Sequence, residues 1–455
     1  MMRNKYKITI LWAALILALP FSCFAEGVIP AKQDEAILTI SKGIEIVLKD
    51  NRLIKIAIPE NDMAFQDSLI SRSALLPALN ITASETLYKD QPGAKFDSSV
   101  IPSSGRSSFS YGIDVYQTLF DFGKNLSNYK ASKEAYKARK ARTESVKRVA
   151  TLEFIIAYFD VLETEKMIKV FEKEVESLNS YLTDIQHLYE QGAAVKNDLL
   201  PAKVKLADAK QRLIAARNRK DITLIRLNNI LARPHRENTL VQDVSMQLPV
   251  VPGIDDSLKM AQDLRPEIVF YQDQINASVL TERAKAVENF PVFYADAGYA
   301  YDQNKYQAHE SNMTFELGAK MKFYDGGQAR AQLMKERQNR RKLNEQKEKI
   351  VEDIKFEVED SHIGLKDARE KVVVAKDALE QAQENVRVYR VKYNAGSATP
   401  TDVLDAIALQ TRAETNFCTS EYELKRNYAK LIYSVGEDLA EVYSKMENQY
   451  DGTAK

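Results

Sequence analysis

Two stretches of this chain run for more than sixty residues with at most one helix breaker. Residues 124–190 contain neither Gly nor Pro, and residues 328–392 contain only Gly364. Lys, Glu, Arg, Gln and Ala dominate both, which predicts continuous helices of about 100 Å at 1.5 Å per residue. No compact domain needs helices that long. Apolar stripes such as Phe154, Tyr158, Val161 and Leu162 must instead be buried along a coiled-coil-like bundle. The segment FIIAYFDVL is too short for a membrane span and is interrupted by Asp160, so core packing is its expected role.

The two stretches belong to one plan used twice. LFDFGK at 119–124 faces FYDGGQ at 323–328, with Asp121 opposite Asp325 and Gly123 opposite Gly327, 204 positions apart. Gly192 and Gly396 stand at the same offset, within YEQGAAVKNDLLPA (189–202) and YNAGSATPTDVLDA (393–406). Upstream, Pro77 faces Pro291 at an offset of 214. One insertion accounts for the difference, in the Gly-, Pro- and Ser-rich run KDQPGAKFDSSVIPSSGRSS, which reads as a loop. The expected organisation is a first repeat over 26–232, a linker over 233–257 with Pro234, Pro249 and Pro252, a second repeat over 258–436, and a tail over 437–455.

Before each long helix the hydrophobic period changes to two. Leu79, Ile81 and Ala83 alternate with polar residues, as do Phe109, Tyr111, Ile113 and Val115; Phe293 to Tyr301 and Met313 to Phe323 repeat the pattern. These are four strands in two hairpins, about 76–120 and 290–324, each apolar on one face. Asp114, Glu316, Lys320 and Lys322 suit the other face. Four strands cannot close a barrel, and open edges are not tolerated in lipid. Two chains would give eight strands and a side-chain-filled interior; three would give twelve and a lumen. A soluble β-sandwich would leave the long helices unexplained.

The N-terminus reads as an export signal. Arg3, Lys5 and Lys7 precede an apolar run from Ile8 to Leu19, with cleavage expected after Ala25. That run falls short of the ~20 residues a membrane span requires. Lipidation at Cys23 is disfavoured by Pro20 and Phe21. With residues 1–25 removed, Cys418 is the only cysteine left, so no intramolecular disulfide is available. Charge is balanced, 64 basic against 64 acidic residues, which argues against a nucleic-acid footprint. His187, His235, His309 and His362 are scattered and match no metal or triad spacing, and no phosphate-binding loop occurs. No enzyme, metal or cofactor is expected.

This arrangement resembles the TolC family of outer-membrane efflux and secretion ducts over roughly residues 35–436. The paired tips carry the resemblance most specifically, then the turns at Asp121-Phe122-Gly123 and Asp325-Gly326-Gly327, then MAQDLRPEI at 260–268. The resemblance implies a mostly α fold with a β contribution. In it, a homotrimer builds one twelve-stranded barrel and a periplasmic helical tunnel, belted by the linker and chain ends. It implies a passive duct serving a tripartite efflux pump or a type I secretion system, joined through a periplasmic adaptor to an inner-membrane transporter. A barrel-anchored coiled-coil scaffold without transport is the other reading.

Asp121 and Asp325 suit helix N-caps, and Pro77 and Pro291 are placed to stop the incoming helices before the strands. Thr399, Pro400 and Asp402 have the spacing of a capping box. Asp405 lies one turn further on and has no such local duty. The resemblance places Asp402 and Asp405 at the periplasmic entrance and gives Tyr393 and Asp198 a role in tying neighbouring coils shut. Ala398 stands where the family's arginine partner is usual. Gly192, Ala193, Ala194, Gly396 and Ser397 form the expected adaptor-docking tip, where small side chains allow close helix approach.

Overall fold

The computed structural model describes residues 37–97, 99–192, 195–243 and 248–453. The export signal, Cys23, Ala193 and Ala194 lie outside them. Two helices lead in, α1 (Ile40–Asp50) and α2 (Arg52–Ser73), the second carrying Pro59 within it. Strands β1 (Ala78–Leu87) and β4 (Ser107–Phe120) flank a short ribbon, β2 (Gly93–Phe96) and β3 (Ser99–Pro102). Then come α3 (Lys124–Glu190), α4 (Lys196–Ile230), α5 (Ile254–Leu264) and α6 (Pro266–Ala286). Strands β5 (Val292–Asp302) and β6 (Ser311–Lys320) precede α7 (Gln328–Asn394), α8 (Pro400–Val435) and α9 (Leu439–Thr453).

The long helices α3 and α7 are each 67 residues, about 100 Å. The four strands expected from the alternating pattern are present, and the main sheet runs β1-β4-β5-β6, antiparallel throughout. Two details differ from expectation. The presumed irregular loop holds the β2–β3 ribbon, turned at Asp97 with φ 50°. Pro77 and Pro291 do not stop helices; α2 and α6 end several residues earlier, and each proline sits immediately before a strand, where its missing N–H costs least.

Register puts Leu79, Ile81, Phe109, Tyr111, Ile113, Val115, Met313, Phe315 and Leu317 on one face of the sheet. All are exposed, Met313 at 81% and Phe315 at 72%. Asp114 and Glu316 share the opposite face with Asp296, which pairs directly with Glu316 and was not singled out by the alternation. Lys320 continues that face, and Lys322 lies beyond the strand. Asn80 donates to Asp114 at 2.8 Å, and the Tyr294 hydroxyl donates to Glu316 at 2.6 Å.

Helices continue the sheet one for one. α2 packs on α3, α3 on α6, and α6 on α7, the same order as the strands they join. Further along, α3 leaves α6 and packs between α4 and α8, while α7 packs on α8. The main apolar core lies at this changeover. Ile40, Ile44 and Val47 of α1 meet Phe154, Tyr158, Val161 and Leu162 of α3, Tyr422, Tyr428 and Ile432 of α8, and Tyr443 of α9. Tyr158 donates to the carbonyls of Leu38 and Gln242, at 2.9 and 2.7 Å, tying the linker and the chain's start to the long helix. No helix among the described residues is long and apolar enough to cross a membrane.

Candidate functional site

At the far ends of α3 and α7 the chain reverses through Gly192 (φ 76°) and Gly396 (φ 72°), left-handed values that favour glycine. The second turn closes with Gly396 N–H donating to the Tyr393 carbonyl at 2.9 Å and Ser397 N–H to the Lys392 carbonyl at 2.8 Å. These bonds satisfy carbonyls that the helix end leaves free.

Thr399 then caps α8. Its hydroxyl accepts from Asp402 N–H at 3.3 Å, and Asp402 Oδ2 accepts from both the amide and the hydroxyl of Thr399 at 2.7 Å. These two bonds, the hydroxyl's first, hold the Asp402 carboxyl below its ordinary range. The first tip makes half of this device. Val195 stands at the cap with no side-chain acceptor, while Asp198 Oδ2 accepts from Val195 N–H at 3.2 Å. Asp405 is exposed and faces Lys205 of α4 at 3.9 Å.

Tyr393 is half-buried, its ring 5.7 Å from Tyr181 of α3 in an edge-to-face contact. Burial raises its hydroxyl pKa, and the nearby Asp198 charge raises it further. Tyr181 in turn donates to the Pro400 carbonyl at 2.8 Å. The fold therefore gathers Tyr393, Asp198, Asp402 and Asp405 at one end, with Tyr181 joining Tyr393 to the start of α8 and Lys205 facing Asp405. Sequence reasoning missed these two, since both act across helices whose pairing no spacing reveals. Behind them Leu178, Ile185, Leu199, Val403, Leu404 and Ile407 form a separate apolar core. Ala398, half-buried, presents only a methyl group.

At the opposite end the turns into α3 and α7 are built alike. Asp121 Oδ1 accepts from Gly123 N–H at 3.0 Å and Oδ2 from Asn125 N–H at 2.8 Å; Asp325 accepts from Gly327 and Ala329 at the same distances. The expected capping is thus present, but from two residues before the cap position. Two successive left-handed residues intervene: Phe122 and Gly123 in one turn, Gly326 and Gly327 in the other. A left-handed Phe122 costs about 1–2 kcal/mol. It is offset by packing on Phe120 and Phe290, with ring centroids 4.8 and 5.0 Å away.

A sheet with one exposed apolar face and an acidic reverse face, continued by ~100 Å helices, together with the relatives below, makes this an outer-membrane channel protein with a periplasmic extension. The chain belongs to the outer membrane efflux protein family, whose model matches residues 43–233 and 254–437. The outer membrane protein TolC of Escherichia coli (strain K12) is 19% identical over 403 residues, covering 83% of this chain and 78% of its own length. TolC of Vibrio cholerae is 21% identical over 404 residues, covering 85% and 88%. Among solved structures, the Campylobacter jejuni CmeC outer membrane channel superposes with a TM-score of 0.76 at 14% identity, over 90% of this chain and 89% of that one. The open-state Neisseria gonorrhoeae MtrE channel gives 0.75 at 17% identity, over 88% and 89%.

Proposed function

We propose that this chain is the passive exit duct of a tripartite efflux pump or type I secretion system, acting as a homotrimer with a periplasmic adaptor and an inner-membrane transporter. One observation carries this reading. The four-stranded sheet is apolar and exposed on one face, acidic on the other, and paired on one side only at β1 and β6. Open edges in lipid leave backbone groups without partners, so further copies must supply strands. Three copies give twelve strands and a lumen wide enough for solute, whereas eight would be filled by side chains.

Within this reading the chain is two copies of one unit, 26–232 and 258–436, joined by 233–257. The equal lengths of α3 and α7, whose starts are 204 residues apart, support it. The tips form the periplasmic entrance, with Gly192, Ala193, Ala194, Gly396 and Ser397 as the adaptor-docking surface. Asp402 and Asp405 each become a ring of three carboxylates. At about 6 Å and an effective dielectric near 20, such charges repel by about 3 kcal/mol per pair, so closure responds to cations and pH. Asp198 and Tyr393 hold neighbouring coils together. Ala398 offers no guanidinium to that lock, so resting closure is weak.

Planar-bilayer recording of the purified protein tests this. Discrete channels are expected, and Ala398→Arg is expected to lower their resting conductance. A monomer in the membrane fraction without channel activity would favour the scaffold reading and overturn this one; unchanged conductance in Ala398→Arg would remove the weak-lock argument alone.

A further inference from the structure

Directly below the sheet, both long helices carry an excess of positive charge. Residues 124–148 of α3 hold nine Lys or Arg against two Glu, and residues 328–349 of α7 hold eight against three, in a chain with no net charge. On α3 much of this charge forms one stripe. Leu126, Lys130, Lys133, Lys137 and Lys140 recur at helical spacing and are exposed, while Ala131 and Ala138 on the other side are buried.

Two observations fix which way the stripe faces. Following it down the helix, Glu144, Lys147 and Thr151 line a crevice with Leu48 of α1 and Leu439 of α9, and Tyr158 bonds to Leu38. The stripe thus shares the face that the outer layer of short helices covers. Above it, Phe122 packs on Phe120 and Phe290, and Phe120 pairs with Phe293 on the apolar side of the sheet. On α7, Arg330, Arg337 and Arg341 stand 204 residues after Leu126, Lys133 and Lys137. Lower on that face Val358 packs with Ala261 of α5, and His362 hydrogen-bonds to Ser257 at 2.9 Å.

The charges lie where lipid headgroups end. Lys130 and Lys133 sit about 9 and 14 Å along the axis from Lys124. Helical side chains lean toward the N-terminus, here toward the membrane. The headgroup layer is about 5–8 Å deep, so both ammonium groups reach it or lie within one screening length of it. Exposed aromatic rings, Phe323 at 90% and Tyr324 at 84%, mark the interface itself. Lys124, at the start of α3, meets Glu288 at 2.7 Å; lower down, Lys137 meets Glu134 at 2.8 Å and Arg337 meets Glu282 at 3.0 Å. Lys130, Lys133 and Arg330 make no ion pair among the described residues.

We propose that Lys130, Lys133 and Arg330 form a collar that binds the phosphate groups of anionic phospholipids in the leaflet facing the periplasm. A membrane surface is favoured over a soluble acidic protein because Lys130, Lys133 and Arg330 lie within the first turns below the sheet, on the side continuous with its exposed apolar face. The inference rests on the sheet's place in the outer membrane and not on which pump the channel serves.

Native mass spectrometry of the purified oligomer tests it, after release from nanodiscs of phosphatidylglycerol mixed with phosphatidylcholine. The wild type is expected to retain phosphatidylglycerol preferentially at about 0.1 M salt and to lose the preference at about 1 M. At about fivefold per basic residue near a charged surface, K130Q/K133Q/R330Q loses at least tenfold of it. K130Q alone loses a few-fold, which covers the case of a misfolded triple variant, and K140Q, set lower on the stripe, retains it. Equal retention of both lipids, or an unchanged preference in the triple variant, overturns the proposal. Displacement of lipid by millimolar inorganic phosphate would mark a soluble-anion site and overturn it equally.

Discussion

Replacing Arg265 by Met should be the most damaging single change outside the apolar core. Arg265 is only 4% exposed. Its Nε donates to Glu267 at 3.0 Å, and its Nη1 donates to Glu357 at 2.9 Å and to the Ser434 carbonyl at 3.2 Å in the last turn of α8. Its guanidinium also lies 4.7 Å from the Tyr433 ring centroid. Without it, Glu357, whose side chain is 40% exposed, can turn to water, but Glu267, at 13%, keeps only the Ser145 hydroxyl at 2.7 Å. Breaking a buried pair from one side costs about 3–5 kcal/mol. The low end, about 3 kcal/mol, is expected here because Glu267 can escape by taking up a proton.

That escape gives a pH signature. In the wild type, burial pushes the Glu267 carboxyl up, but the Arg265 charge and the Ser145 bond outweigh it, leaving the pKa below its ordinary 4.5. Its stabilisation is therefore full above 4.5 and lost as pH falls through the lowered value. In Arg265→Met the opposing charge is gone and burial dominates, so the Glu267 pKa rises above 4.5; the loss of stability should be largest at neutral pH and should shrink as pH falls through that raised value. Thermal unfolding followed by circular dichroism between pH 4 and 8 measures both effects. Arg265→Lys keeps a charge but loses the fork and should fall between. An Arg265→Met protein within about 1 kcal/mol of wild type, with an unmoved acid limb, would refute the assignment of this network as a structural lock.

Two further substitutions test local geometry. Gly436→Ala places a Cβ 3.0 Å from Leu264 Cβ at a φ of 87°; a loss of about 1–3 kcal/mol is expected in the same melt, and no loss would show that α8 does not need this left-handed end. Thr399→Ala removes the hydroxyl that caps α8 and should cost about 1 kcal/mol. It should be read as faster hydrogen exchange at the first turn of α8 with α4 unaffected.

Much of this fold can be read along the chain because its signals are long. Sixty-seven-residue helices declare themselves by the absence of breakers, and strands of ten or more residues by alternation. The β2–β3 ribbon does not, since four-residue strands give no period and their Gly and Pro content resembles a loop. Asp296 was passed over because its strand is recognised by apolar alternate positions, and only the register with Glu316 shows two carboxylates side by side. RPE at 265–267 was legible as a motif but not as a lock, since its partners lie 92 and 169 residues away. At the tip, Thr399 and Asp402 were readable from spacing alone, whereas Tyr181 and Lys205 needed knowledge that α3 and α4 both lie against α8.

The two tip aspartates also differ in what their removal can prove. Asp402 is committed to the cap, with Oδ2 already accepting twice from Thr399. Replacing it frays α8 and removes a charge together, so altered conductance would not separate the two causes. Asp405 offers the cleaner test. It makes no cap, it is exposed, and Lys205 at 3.9 Å is its ion-pair partner. Exposed pairs at that distance are weak, about 0–1 kcal/mol, so the carboxylate keeps most of its field. If a ring of these groups attracts cations to the entrance, Asp405→Asn should reduce cation selectivity and divalent block in planar bilayers without changing hydrogen exchange at the α8 start. Lys205→Gln should do the opposite, since it unmasks the same carboxylate. Both effects should shrink at 1 M salt, where the screening length falls to about 3 Å. Identical selectivity in both variants would place the entrance charge elsewhere and leave Asp405 a surface residue.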